Sequence, residues 1–399
     1  MSRPSSAGLT LAAVVLVALN LRGSIAAVPP LLGELQEEIG LSTAGASLLT
    51  TLPVLLFALA APGAVRLGRR VGPGSAILVG LALVVLGSVA RVLGGPVALL
   101  VGTLVLGVGM TIGNVLVPVV AKRDFRERAP QLIGAFTASL AVGASLTAAL
   151  TVPVAHQFGW RVGLGVWGVL AVLAAPLWWL AVARHERQER REERRAAADD
   201  GSVTTRPAVR TLWRYRLAWV VAVALGTQSA LYYSFTTWIP TYLMEEVGLA
   251  QVTAGYALSV FQVMGIPFTL AVPWLTRRRP TQGWIGCTVA VVWILVLLGL
   301  AVLPQAWPLW VVVAGAAQGT GFALALTLIV LRSADESVTG PLSGMSQLIG
   351  YSIGAAGPFV VGVLASATGG WAVPGLVLIG VAMAAFASMW VAGQDRTIT

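Results

Sequence analysis

Carboxylates are missing from the long apolar stretches of this 399-residue chain, and charged residues of both signs make up only 11% of it. A soluble globule needs a far larger polar surface, so an ordinary soluble domain is excluded. The single cysteine, Cys287, excludes an internal disulfide framework and reads as a small packing residue. Histidine occurs only at His156 and His185, and no combination of His and Cys has metal-ligand spacing. No metal, cofactor or catalytic residue is expected. No Walker A loop, HExxH or GxSxG pattern occurs, which argues against ATP-driven pumping by this chain and against a membrane-embedded enzyme.

Apolar side chains fill the space that these absences leave. The chain is 57% hydrophobic, with a mean hydropathy of +0.84. Runs such as Ala76 to Val89 and Val289 to Leu303 are continuously apolar, without the alternation of a membrane β-barrel. The fold class expected is an all-α membrane protein. Windows of about 20 residues predict twelve helices, at 9–29, 43–65, 74–92, 97–120, 131–155, 162–183, 215–239, 251–275, 283–303, 307–330, 341–366 and 371–393. The first reads as a retained helix, because no cleavage pattern ends it.

Charge sets the expected orientation. Alternate loops carry Arg66, Arg69 and Arg70; Lys122, Arg123, Arg126 and Arg128; the run Arg184 to Arg195; Arg277, Arg278 and Arg279; and Arg332. By the positive-inside rule these loops and both termini are cytoplasmic. Glu34, Glu37, Glu38, Glu245 and Glu246 mark the opposite side, with Arg91 and Arg161 as exceptions. The formal net charge of +10 is therefore spread over loops on one face. Anionic lipid headgroups account for it, and no nucleic-acid partner is expected.

The polar stretch from 184 to 212 divides the spans six and six and reads as a cytoplasmic linker between bundles at 1–183 and 213–399. The halves repeat. Pro30, Glu37, Glu38, Gly40, Leu41 and Thr43 recur as Pro240, Glu245, Glu246, Gly248, Leu249 and Thr253, and Gly159 with Trp160 recurs as Gly370 with Trp371. Six spans separate the copies, so both halves enter the membrane from one side, and a substrate site is expected between them near the midplane.

On Leu19 to Arg22, Gly113 to Phe125 (GNVLVPVVAKRDF), Gln228 to Trp238 (QSALYYSFTTW), Ala325 to Arg332 (ALTLIVLR) and Leu342 to Gly350 (LSGMSQLIG), the chain resembles the major facilitator superfamily. Within it, the likeness is to the cyanate permease and 2-nitroimidazole transporter family. The resemblance covers nearly the whole chain. It implies two pseudo-symmetric six-helix bundles, a multi-pass place in a bacterial-type inner membrane, and a secondary carrier working by alternating access as a monomer. In the loop between helices two and three the superfamily places an Asp; here APGAVRLGRR puts Val65 there, so a latch built on that Asp is in doubt.

Arg22 is the first candidate for a binding role. It lies some 20 Å into the first helix at 1.5 Å per residue, and a guanidinium cannot discharge itself by losing its proton. With no intramembrane carboxylate available, its partner is either a small anionic or nitro-bearing cargo or the protein's own polar groups. In helix four Gly107, Thr111, Asn114 and Pro118 share a face; Asn114 reads equally as ligand contact or helix glue. Helix seven offers Gln228, Tyr232 and Tyr233, and the repeat sets Tyr232 opposite Arg22. Gln262, Gln318 and Gln347 are weaker candidates, and Asn20 is expected to pack between helices. Gly143, Pro153, Gly354, Gly357, Pro358 and Gly362 are either moving parts or static packing. Without an intramembrane Asp, Glu or His, no titrating relay is expected, so transport is facilitated diffusion, exchange, or symport in which the cargo helps carry the proton. The rival expectation is export of hydrophobic drug-like compounds, with Arg22 structural.

Overall fold

The computed structural model describes residues 5–124, 129–183, 209–278, 281–334 and 336–398. Among these, the backbone is almost wholly helical, as it must be where no water can satisfy a peptide group. The N-terminal half runs α1 (Ser5–Ala26), α2 (Leu32–Ile39), α3 (Thr43–Leu59), α4 (Ala61–Val71), α5 (Pro73–Ala90), α6 (Pro96–Asp124), α7 (Ala129–Phe158), α8 (Trp160–Gly165) and α9 (Gly168–Trp178). The C-terminal half runs α10 (Arg216–Val247), α11 (Gln251–Thr276), α12 (Gly283–Val302), α13 (Trp307–Leu331), α14 (Glu336–Thr368) and α15 (Ala372–Ala392). Most of the expected linker lies outside the described residues.

Ten of the described helical segments are long and apolar enough to cross a membrane, and α3 with α4 adds an eleventh as a bent pair. α10 completes twelve by length. It is too polar for the apolar test because Gln228, Ser229, Tyr232, Tyr233, Ser234, Thr236 and Thr237 sit in its middle, and all are buried inside the protein.

Several expected boundaries move for identifiable reasons. The second span bends by 55° between Leu59 and Ala61, where Pro62 cannot donate to the preceding turn. The first span ends at Ala26; Pro29 and Pro30 enter a 3-10 turn, and the acidic stretch beyond, expected as loop, forms α2. The sixth span is broken between Gly165 and Gly168 and closes in a wider π turn at Trp179–Ala183. Pro240 does not end α10, which continues to Val247.

The internal repeat is visible in the packing. Gly143 of α7 lies against the backbone of Leu19 in α1, while Gly354 of α14 lies against Ser229 of α10, where an added Cβ would come within 2.7 Å of the Ser229 Cβ. Leu19 and Ser229 are 210 positions apart, and Gly143 and Gly354 are 211 apart. Each half therefore uses a glycine at the same place to bring two helix backbones together. Gly357 and Gly362 continue this seam against Ser234 and Trp238, so these glycines are packing positions. Gly40 and Gly248, also repeat partners, end α2 and α10 in the left-handed region at φ 67° and 77°.

Three hydrophobic clusters show how the halves meet. One joins both halves at the carboxylate-rich end, uniting Leu31, Leu35, Val152 and Trp160 with Leu231, Trp238, Leu258 and Trp293. At the arginine-rich end the N-terminal half has its own cluster, including Val17, Leu81 and Leu116, and the C-terminal half another, including Leu225, Leu328 and Met345. Among the described residues, the buried core shared by the two halves lies at the carboxylate-rich end.

Polar bonds reinforce that shared core. Ser145 and Ser259 hydroxyls are 2.6 Å apart, and Thr237 donates to Thr50 at 3.0 Å. Gln251 donates to the Pro30 carbonyl at 2.8 Å while its Oε1 lies 3.1 Å from His156 Nε2. All of these bonds cross between halves.

Candidate functional site

Arg22 points from α1 toward the C-terminal half. Its guanidinium carbon lies 5.2 Å from the Tyr232 ring centre and 4.8 Å from that of Phe322. The hydroxyls of Tyr232, Tyr233 and Tyr351 are its electrostatic neighbours, with Tyr232 within hydrogen-bonding reach, and no carboxylate is among them. The side chain is only partly buried. Because its neighbours belong to the opposite half, that accessible surface faces the space between the bundles.

Magnitudes decide whether the rings suffice. Desolvating an ion inside a protein costs several kcal/mol even after relaxation. A desolvated cation–π contact returns about 2 kcal/mol. Two rings and a phenol therefore offset much of that cost, but none of them supplies the opposite charge that an anion would.

Tyr232 links Arg22 to further candidates. Its hydroxyl donates to Gln262 Oε1 at 3.2 Å, which commits that oxygen and leaves the buried Gln262 Nε2 without an acceptor. The Gln228 amide nitrogen is likewise buried and unpaired, and its side chain packs over Gly321. Tyr233 meets Tyr232 edge-on at 4.8 Å, and Tyr232 stacks on Phe261 at 6.0 Å. Both tyrosines are 3% exposed, so neither anchors the membrane interface.

Asn114 is half-buried, and among the described residues its side chain has no hydrogen-bond partner. Its neighbour Gly113 packs on Leu21, beside Arg22. Thr111 is placed otherwise than its helical face suggested: it is fully buried and donates back to Gly107, which sits against Pro53 and Leu56 of α3. Gln318 packs over Gly265 in the interface of α11 and α13, and Gln347 bonds Ser343. The structure does not bring these three to Arg22. Asn20 is 2% exposed and donates to the Leu16 carbonyl of its own helix at 2.7 Å.

Two neighbours of Arg22 escaped the sequence reading, Phe322 and Tyr351. Phe322 carries no polar or charged group, so nothing in the sequence marked it as a neighbour of the guanidinium. Tyr351 follows the LSGMSQLIG stretch directly and touches Phe57 of α3 edge-on at 5.8 Å, across the two halves.

Other polar features lie apart from this site. Arg91, expected in an outer loop, is 1% exposed and bonds the carbonyls of Ser24 and Leu164 at 3.2 and 2.9 Å, tying the ends of α1 and α8 together. Arg332 bonds Gln282 and lies 3.8 Å from Asp395, fastening the C-terminal segment to the arginine-rich end. An apolar cleft of about 630 Å³ lies within the C-terminal half, bordered by Trp238, Tyr242, Leu300 and Trp371, and does not include Arg22. Among the described residues no cluster of His, Cys, Asp or Glu could hold a metal ion.

Comparison with known proteins fits this architecture. The Major Facilitator Superfamily model matches residues 11–358. The chain is 35% identical to an uncharacterized transporter of Bacillus subtilis, over 96% of this chain and 93% of the relative. It is 33% identical to the 2-nitroimidazole transporter of Escherichia coli, over 97% and 96%. A cyanate transport protein of Escherichia coli is 30% identical over 92% of this chain and 94% of that one. Among solved structures, a D-xylose-proton symporter superposes with a TM-score of 0.73 at 13% identity, covering 98% and 99% of the two chains. A peptide transporter in complex with sulfate gives 0.74 at 14%, covering 97% and 96%. Twelve spans among the described residues, in two repeated halves that share a core at one end around a partly accessible arginine, and these full-length likenesses lead to one assignment: the chain is a multi-pass membrane transporter of small solutes, not an enzyme, and belongs to the cyanate permease and 2-nitroimidazole transporter family of the major facilitator superfamily.

Proposed function

We propose that this carrier moves a small anionic or nitro-bearing solute by alternating access, with Arg22 as its electrostatic anchor. The observation that carries the reading is the lone guanidinium at the junction of the halves, met by aromatic rings and no carboxylate. A cargo with negative charge on planar oxygens supplies the missing partner and accepts hydrogen bonds from the guanidinium fork. Asn114, whose neighbour Gly113 packs on Leu21 beside Arg22, is a companion on the same half; Gln228, Gln262, Tyr232 and Tyr233 form the wall behind. The relatives named for cyanate and for 2-nitroimidazole support the same class of cargo.

The arginine-rich end is cytoplasmic by the positive-inside rule, with both termini on that side. In the described state the core shared by the halves then lies toward the outer side of the membrane. The carrier acts as a monomer in an inner membrane, with the segment 184–212 as a spacer between bundles 1–183 and 213–399. With no carboxylate or histidine among the described neighbours of Arg22, transport proceeds by facilitated diffusion, exchange, or symport in which the cargo itself bears the proton.

The test is uptake of labelled cyanate and of 2-nitroimidazole into proteoliposomes. Arg22→Ala is expected to lower both at least tenfold, and Arg22→Lys to restore only part, because an ammonium keeps the charge without the planar fork. Unchanged uptake in Arg22→Ala would instead favour a carrier of lipophilic compounds with Arg22 structural.

A further inference from the structure

Among the described residues, Arg22, Phe322 and Tyr351 meet at the junction and keep accessible surface, and Asn114 follows Gly113, which packs on Leu21 beside Arg22. They divide by chemistry between the two halves. Arg22 and Asn114 come from the N-terminal half; Phe322 and Tyr351 come from the C-terminal half; all four are only partly buried. The other polar candidates around them, Gln228, Gln262, Tyr232 and Tyr233, are each 1–3% exposed. Cargo arriving in the described state therefore meets a cationic, hydrogen-bonding surface on one side and two aromatic rings on the other.

We infer that the cargo is an aromatic monoanion, its charged group held by Arg22 and Asn114 and its ring lying against Phe322 and Tyr351. This rests on the anion-carrier reading above and narrows it. Charge counting sets the valence. Arg22 has no carboxylate among its electrostatic neighbours, and Arg91 is committed to two backbone carbonyls at the ends of α1 and α8. One negative charge gives a neutral complex, a dianion leaves a net charge in an apolar interior, and a neutral analogue leaves the guanidinium unmatched.

Geometry sets the body. Phe322 lies 4.8 Å from the guanidinium carbon and the Tyr351 phenol is among its electrostatic neighbours, so the charged and aromatic surfaces are contiguous. A flat ring continuing from a carboxylate on Arg22 lies on these rings by stacking or edge contact. A small inorganic anion would leave them unused. The same placement makes the cargo a bridge between halves, which is where a ligand must sit to bias their rocking.

The experiment is isothermal titration of the full-length protein in lipid nanodiscs with benzoate, acetate, benzamide, terephthalate and cyanate. Benzoate is expected to bind at least tenfold tighter than acetate, the margin that two aromatic contacts provide. Benzamide, which lacks the charge, and terephthalate, which carries a second one, should each bind at least tenfold more weakly than benzoate. Phe322→Leu, which keeps apolar bulk, should erase most of the benzoate advantage and leave acetate unchanged, and Tyr351→Leu should act in the same sense.

Equal affinity for benzoate and acetate would overturn the inference, as would a loss in Phe322→Leu that falls equally on both, or a benzoate advantage surviving the double replacement. If acetate and cyanate bind, depend on Arg22 and gain nothing from a ring, the anion-carrier reading stands and this narrower one falls. If no anion depends on Arg22, both fall.

Discussion

Two arginines inside the helical bundle meet opposite fates in this protein. Arg91 donates to two carbonyls at helix ends, whereas Arg22 finds aromatic faces and a phenol but no anion. Their substitutions should therefore move stability in different directions. Arg91→Ala leaves the Ser24 and Leu164 carbonyls unpaired in the interior, a loss of about 3 kcal/mol for two charge-assisted bonds, and should lower the thermal unfolding temperature markedly. Arg22→Met removes an uncompensated charge and keeps apolar volume, so the unfolding temperature should hold or rise while transport is lost. Thermal unfolding of the two purified variants in one detergent checks both; a collapse in Arg22→Met would make that arginine structural. The importance of Arg22 was legible because an arginine in an apolar run is conspicuous. The burial of Arg91 was not, because its sequence surroundings are those of an exposed loop and its two acceptors lie 67 and 73 residues away.

Helices here are held by close backbone approach as much as by side-chain volume. Gly354 against Ser229 and Gly143 against Leu19 are the same joint in the two halves. Gly354→Val is expected to cost about 1–3 kcal/mol through overpacking and to reduce transport, whereas Gly375→Ala, where an added Cβ meets nothing within 4 Å, should be nearly silent. Thermal stability and uptake measured side by side test the contrast. The sequence marked these glycines without separating hinge from packing, since both roles need only a small residue, and the partner helix is what distinguishes them. Helix breaks were harder to read. Pro62 bends the second span, while Pro240 leaves α10 unbroken, and the difference lies in surroundings that hold α10 on every side. Polarity in α10 could be read as a weak span; its burial shows that it is the inward-facing wall of the C-terminal half.

At the scale of the molecule, the halves are joined by a shared core and by side-chain bonds at the carboxylate-rich end. Gln251 is central there, since its amide donates to Pro30 while its oxygen faces His156, both in the other half. Gln251→Ala should loosen this seal and shift the population toward the conformation open at that end. Distances between spin labels placed across it, after replacement of the lone Cys287, should lengthen relative to the parent protein. An unchanged distribution would show that the apolar core alone keeps the end closed. The sequence by itself determined that the chain is helical and membrane-embedded, that it is a repeat of six spans, and that one uncompensated charge lies within it. Each of those follows from local composition or from spacing along the chain. Only the tertiary structure decided at which end the halves share a core, that Phe322 and Tyr351 face Arg22, and that Thr111 and Gln318 are withdrawn from it. Those outcomes depend on the rotation of each helix about its axis and on the fit of one half against the other, which arise from contacts between residues far apart in sequence.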